Sequence, residues 1–234
     1  MEEISLKTAE KGRLEYISSV SHELKTPIAL ILGYAEGLKN HTYDDAEAMD
    51  YYCDVIIDEV KKMDNIIKRL ISLSALEYEP YDVVSERIDM SRFVEECCTQ
   101  GNVLAHKFGG TISYSCEPEC IVNSDVSLVE DVLRNYLSNA INYMSGDKKI
   151  EITVSRVCDN VRVSVYNTGD QIQEEYMPYI WEKLYKIDES RNKVSTGQGI
   201  GLSVVKDIMK KLGGSCGVDN RTGGVEFWFE LAAV

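Results

Sequence analysis

The sequence predicts an α+β protein in two parts: a helical hairpin over residues 1–79, and a domain over 80–234 with a helix layer on a largely antiparallel sheet. Three observations predict it. Apolar residues recur in steps of three and four through two long stretches before residue 79; Glu79-Pro80-Tyr81-Asp82 interrupts the pattern; and beyond it runs near 150–156 and 161–167 alternate every second residue.

In the first stretch Leu14, Ile17, Ser21, Leu24, Ile28, Ile31, Ala35 and Leu38 lie on one seam, the pattern of a coiled-coil-like helix from about Ser5 to Asn40. After the polar break His41 to Asp45, the residues Met49, Tyr52, Ile56, Met63, Ile66, Leu70 and Leu73 repeat it, so the two helices form a hairpin. A further apolar stripe (Cys53, Ile57, Val60, Ile67, Ile71) exceeds what two helices can cover. It calls for a homodimer closing a four-helix bundle, or for packing on the second domain. Pro80 ends the second helix, because proline disfavours helical geometry in the residue before it and lacks an amide donor. The second part then predicts a helix over 91–107, strands near 111–115 and 121–123, a helix over 125–144 and strands over 150–156 and 161–167. A glycine-rich stretch opens a helix to about Leu212, and strands near 215–219 and 225–231 follow.

The composition narrows the function. A formal charge of −14 and a pI near 4.7 argue against a general binder of nucleic acid or anionic membranes, since a broad negative field repels phosphates. Seven cysteines, with no C-x-x-C pair, read as reduced thiols of a cytosolic protein. No window approaches the roughly 20 apolar residues of a membrane-spanning helix.

Four segments carry chemistry. In Ser21-His22-Glu23-Leu24-Lys25-Thr26-Pro27, Ser21 occupies the seam and His22 lies about 100° around the helix, at the bundle's flank. Glu23 can hold one imidazole proton and so leave the other nitrogen's lone pair nucleophilic. Pro27 removes a backbone hydrogen bond just past this point. Further on, Asn135, Asn139 and Asn142 recur at four and three residues on one helix face. Such a stripe is either a solvated polar face or a set of carboxamides for phosphate and Mg²⁺, which they contact without adding charge. Asn167-Thr168-Gly169-Asp170-Gln171-Ile172 follows a strand, either a plain turn or a place where a glycine admits a ligand. Finally Gly197-Gln198-Gly199-Ile200-Gly201-Leu202 precedes a helix, where backbone amides can close around phosphates. The charged stretch before it, Lys183 to Thr196, is no strand, so the glycines do not fit a dinucleotide fold.

Taken in order, these segments resemble the boxes of bacterial two-component sensor histidine kinases. His22-Glu23-Leu24-Lys25-Thr26-Pro27 is similar to the phosphoacceptor box, the asparagine stripe to the N box, Asn167 to Ile172 to the first glycine box, Trp181-Glu182-Lys183-Leu184-Tyr185 to the F box, and Gly197 to Leu202 to the second glycine box. The stretch Ile28-Ala29-Leu30-Ile31-Leu32-Gly33-Tyr34-Ala35-Glu36-Gly37-Leu38-Lys39 bears a faint resemblance to vancomycin-resistance sensors. The resemblance to the kinases implies a dimerisation and histidine-phosphotransfer hairpin over 1–79 and a catalytic ATP-binding α/β sandwich of the GHKL (Bergerat) type over 80–234. It further implies that His22 attacks the γ-phosphate of ATP, Glu23 assists proton transfer, and Thr26 orients water for dephosphorylating the partner. ATP would be held by Asn135, Asn139, Asn142, Asn167, Gly169, Ile172, Tyr185, Lys186, Gly197, Gly199, Gly201 and Leu202, with Mg²⁺ on Asn139. The implied partners are a second copy of the chain and a response regulator receiver domain, and the implied setting is the cytoplasmic portion of a plasma-membrane sensor whose membrane part precedes this sequence. Three positions depart from the family, the first being Gln171, which stands where the first glycine box has its second glycine. Asn167 replaces the adenine-binding aspartate and Asn142 a basic residue, which predicts weak ATP binding, with Arg134 or the cations Lys186, Arg191 and Lys193 as substitutes. The departures also leave open a dimeric scaffold that docks a regulator with little kinase activity; a chaperone or topoisomerase relative would leave the His22 helix unexplained.

Overall fold

The computed structural model describes residues 21, 24–40, 45–78, 83–182, 185 and 201–234. It divides into two compact units, Met1–Tyr78 and Glu79–Val234.

In the first unit, α1 (24–39) runs through the buried Pro27, and α2 spans Ala46–Tyr78. Asp45 starts α2 by accepting from the Ala48 amide at 2.7 Å, a side-chain cap for an otherwise orphaned donor. Tyrosines join the two helices: the Tyr34 ring meets Tyr52 edge-on at 5.0 Å and Tyr51 at 6.2 Å. Gly37 makes room for this, since a Cβ there would stand 2.7 Å from the Tyr52 ring. Ile66 is buried, whereas Cys53, Ile57, Val60 and Ile67 are exposed, so the described part of the further apolar stripe finds no cover; Ile28 of the first seam is exposed as well, as is Leu32.

The second unit runs β1 (Glu86–Asp89), α3 (Met90–Lys107), β2 (Thr111–Cys116), β3 (Ile121–Ser124), α4 (Val126–Tyr143), β4 (Lys149–Val157), β5 (Asn160–Thr168), α5 (Gly201–Lys211), β6 (Ser215–Arg221) and β7 (Gly224–Ala232). The main sheet has the order β2-β4-β5-β7-β6. Only β2 and β4 pair in parallel; β4, β5, β7 and β6 are successively antiparallel. Alternation decides the faces. Ile150, Ile152, Val154, Val161, Val163, Val165, Phe227 and Phe229 form the buried face, on which Tyr136 of α4 packs 5.5 Å from Phe227. The opposite face is polar and bears an open groove of about 450 Å³ lined by Glu151, Thr153, Ser164, Tyr166, Arg221, Thr222 and Glu226, on the far side of the sheet from α4.

Strand β1 was not foreseen from the sequence. Of its four residues only Ile88 turns inward, so there is no alternation to read; it exists because it pairs antiparallel with β3, Glu86 opposite Ser124 and Asp89 opposite Ile121. The chain end joins the same corner, as the Val234 amide donates to the Ile121 carbonyl at 2.9 Å.

All seven cysteines are free thiols. Burial pushes the Cys97 thiol up to about 11 and the Cys98 thiol up to about 12, and holds the Tyr136 phenol well above its ordinary value. Above about pH 9 the unfolded chain loses these protons while the folded chain keeps them, so stability falls as pH rises through that range. Urea unfolding at pH 8, 9.5 and 10.5 is expected to show this decline, and Cys98→Ala to make it shallower; equal slopes would refute the assignment.

Candidate functional site

Helix α4 is the backbone of the site. Asp125 caps its N-terminus, accepting from the Leu128 amide at 3.1 Å. Leu128, Val132, Leu133, Tyr136, Leu137, Ala140 and Ile141 face the core. At 100° per residue Asn135, Asn139 and Asn142 fall within about 60° of arc at the edge of that apolar face, over a rise of about 10 Å. All three are half-buried. Asn135 donates through Nδ2 to the Asp131 carbonyl at 2.8 Å, while among the described residues the carboxamides of Asn139 and Asn142 have no hydrogen-bond partner. Asp131 extends the stripe by one turn, and burial raises its carboxyl above the ordinary range against the pull of Arg134.

Glycines bring other segments to this stripe. A Cβ on Gly201 would lie 2.9 Å from Asn135 Oδ1, so the N-terminus of α5 meets the first asparagine so closely that a side chain there would have to displace the carboxamide. At the other end of α4, a Cβ on Gly169 would stand 2.7 Å from the Tyr143 carbonyl. Around it Ser145 N donates to the Thr168 carbonyl at 2.9 Å and Gly169 N to the Gly223 carbonyl at 3.0 Å. Asn167 is 4% exposed. Its Nδ2 donates to the Thr168 carbonyl at 3.2 Å, and its Oδ1 has no donor among the described residues.

The segment after Gly169 is held by a side chain that sequence reasoning missed. Asn220 accepts from the Ile172 amide at 2.9 Å and donates to the Ile172 carbonyl at 2.7 Å. Gln171, at a position where the resemblance puts a glycine, donates to the Arg221 carbonyl at 2.7 Å and so ties the same loop to the β6–β7 turn. Tyr143 was also missed. Its 53% exposed side chain sits beside Asn142, and its only local signal was an aromatic residue directly after the stripe.

Thr26 is exposed on α1. Tyr185 lies 5.7 Å from Tyr179, and Trp181 meets Phe227 edge-on at 6.3 Å. Leu202 is half-buried in the first turn of α5. Arg134, largely exposed, pairs with Glu130 one turn away on the surface of α4. His22, Glu23, Lys186, Gly197 and Gly199, with Arg191 and Lys193, lie outside the described residues.

Comparison with known proteins agrees with this arrangement. The family model for the His Kinase A (phospho-acceptor) domain matches residues 13–79, and that for the Histidine kinase-, DNA gyrase B-, and HSP90-like ATPase matches residues 124–234. Sensor protein SrrB of Staphylococcus aureus (strain N315) is 25% identical over 223 residues, which are 95% of this chain and 38% of the relative. The chain thus spans well under half the length of the curated relatives it matches. Among solved structures, full-length ShkA in complex with AMPPNP superposes with a TM-score of 0.69 at 24% identity, covering 94% of this chain and 46% of that one. ThkA in complex with the response regulator protein TrrA superposes with a TM-score of 0.77 at 24% identity, covering 100% of this chain and 67% of that one. These two likenesses speak to the fold. With its phospho-acceptor unit followed by an ATPase unit, the chain belongs to the bacterial two-component sensor histidine kinases.

Proposed function

We propose that the chain is the kinase core of a two-component sensor, binding Mg-ATP along α4, phosphorylating its own His22 and passing the phosphoryl group to an aspartate of a response regulator. The observation that carries this reading is the convergence on α4: Gly201 against Asn135 at one end, Asn167 and Gly169 beside Tyr143 at the other, and two half-buried carboxamides without partners among the described residues between them. On this reading Asn167 Oδ1 and the Gly169–Ile172 loop receive the adenine. Gly197, Gly199, Gly201 and Leu202 close on the phosphates, and Tyr185 and Lys186 border the loop over them. The described residues offer no group of three His, Cys, Asp or Glu side chains able to hold a metal. Asn139 would hold Mg²⁺ through its side-chain oxygen, and the ion when bound would offset phosphate charge. His22 supplies the lone pair that forms the new P–N bond as the bond to ADP breaks, and Glu23 takes up the imidazole proton. Thr26 would orient the water that hydrolyses the regulator's aspartyl phosphate, leaving the free carboxylate and inorganic phosphate.

The exposed stripe of Ile57, Val60 and Ile67 supports a homodimer through the hairpin. The name sensor protein and the greater length of the relatives support a place for this core within a longer sensor, proposed to lie at a membrane; no helix among the described residues is long and apolar enough to cross a membrane. The test is incubation with Mg²⁺ and γ-labelled ATP. Acid-labile, alkali-stable phosphate on the protein is expected, and its absence in a chain shown to bind nucleotide would overturn the kinase reading.

Asn167→Asp separates affinity from stability. A carboxylate accepts the adenine amino group's hydrogen bond with charge, which is expected to tighten nucleotide binding by about fivefold. It also gives up the donation to the Thr168 carbonyl at a 4% exposed position, at a cost of about 1–3 kcal/mol to the nucleotide-free protein. Nucleotide titration and thermal melting check the two halves; weaker binding would remove Asn167 from the adenine end.

A further inference from the structure

The first described residues of the second unit meet the nucleotide helix through one carboxylate. Asp125 is 3% exposed and its two oxygens do different work. Oδ1 caps α4 by accepting from the Leu128 amide at 3.1 Å, and Oδ2 accepts from the Val84 amide at 3.1 Å. Val84 lies only six residues beyond Tyr78, where the helical unit ends, and two before β1. Its side chain is 60% exposed, so burial does not hold it in place. The β1–β3 ladder reaches Glu86 opposite Ser124, and the Asp125 side chain extends that attachment back toward the connecting segment.

We propose that Asp125 is a positioning residue that couples the segment joining the two units to the nucleotide helix. A pull on residues 83–85 reaches the first turn of α4 through one side chain, and by reciprocity a nucleotide bound along α4 holds Val84 more firmly. The inference rests on the reading of α4 as the nucleotide helix.

The tie can be cut from either side without removing the cap. Asp125→Asn keeps one oxygen for Leu128 and replaces the other with a donor, which cannot accept from Val84; asparagine caps helices as well as aspartate does. Val84→Pro removes the donor and leaves Asp125 intact. In the full chain, each variant is expected to weaken Mg-ADP binding by about fivefold, the low end of typical coupling. The double variant is expected to lose no more than Asp125→Asn alone, because Val84→Pro then removes the donor of a bond already cut. In the unsubstituted chain Mg-ADP is expected to slow hydrogen exchange at the Val84 amide by about threefold or more, and in Asp125→Asn to leave it unchanged. Asp125→Ala, which loses the cap too, is the folding control and should melt lower than Asp125→Asn. Additive losses, or exchange at Val84 unmoved by bound Mg-ADP, would overturn the proposal. Should the unsubstituted chain fail to bind nucleotide at all, the nucleotide reading of α4 fails and the proposal built on it falls with it, a result distinct from binding without coupling.

Discussion

Replacing His22 with alanine is expected to abolish phosphoryl labelling of the chain while leaving its affinity for Mg-ADP unchanged. The expectation joins chemistry to division of labour. An imidazole with one nitrogen protonated toward Glu23 presents a lone pair to phosphorus, and neither Glu23 nor Thr26 can form the acid-labile, alkali-stable bond in its place. The nucleotide site proposed on α4 belongs to the other compact unit, so the substitution removes the acceptor and not the donor's binding site. Labelling with γ-labelled ATP, run beside a nucleotide titration, reads both halves. Residual acid-labile label would place the acceptor on another residue, and a loss of nucleotide affinity would mean that His22 also takes part in binding.

The largest effect on stability is expected from Tyr136→Ala. Tyr136 is fully buried on the inner side of α4, packs against Phe227 and Phe229 at 5.5 and 6.3 Å, and donates from its hydroxyl to the Trp228 carbonyl at 3.0 Å. It therefore fixes the helix that carries the asparagines to the central part of the sheet. Deleting a buried aromatic ring costs about 3–5 kcal/mol, which for a unit of this size lowers Tm by on the order of 10 °C. Nucleotide affinity should fall with it, since Asn135, Asn139 and Asn142 are aligned only as long as α4 stays seated. Tyr136→Phe keeps the ring and loses one hydrogen bond, at about 1 kcal/mol. Melting curves of the two variants distinguish them; equal losses would mean that the hydroxyl, rather than the ring, holds the helix.

Much of this molecule was legible because its elements are periodic. The 3.6-residue pattern marked the hairpin and α4, and the two-residue pattern in β4 and β5 marked the buried face to within a residue or two of its ends. The asparagine stripe was visible for the same reason, as a local spacing on one helix. The outcome was different where one residue's meaning depends on a distant partner. Asn220 lies just past the strand expected over 215–219 and carried no signal in the sequence, yet it clamps Ile172, 48 residues earlier. Gln171 looked like a defect in a glycine box and instead secures the loop. Arg134 showed in the sequence only as a cation on α4, and in the folded chain it pairs with Glu130.

Spacing along the chain was therefore enough to mark nearly every helix and strand, to say which of their faces are apolar, and to show which polar residues share a helix face. It could not show that β1 exists, that β2 runs parallel to β4, that Gly201 lies against Asn135, or that Asp125 holds both Val84 and α4; the folded chain settles those. The reason is physical: such contacts depend on which edges and ends meet across the fold, and that follows from packing the whole core rather than from any local period.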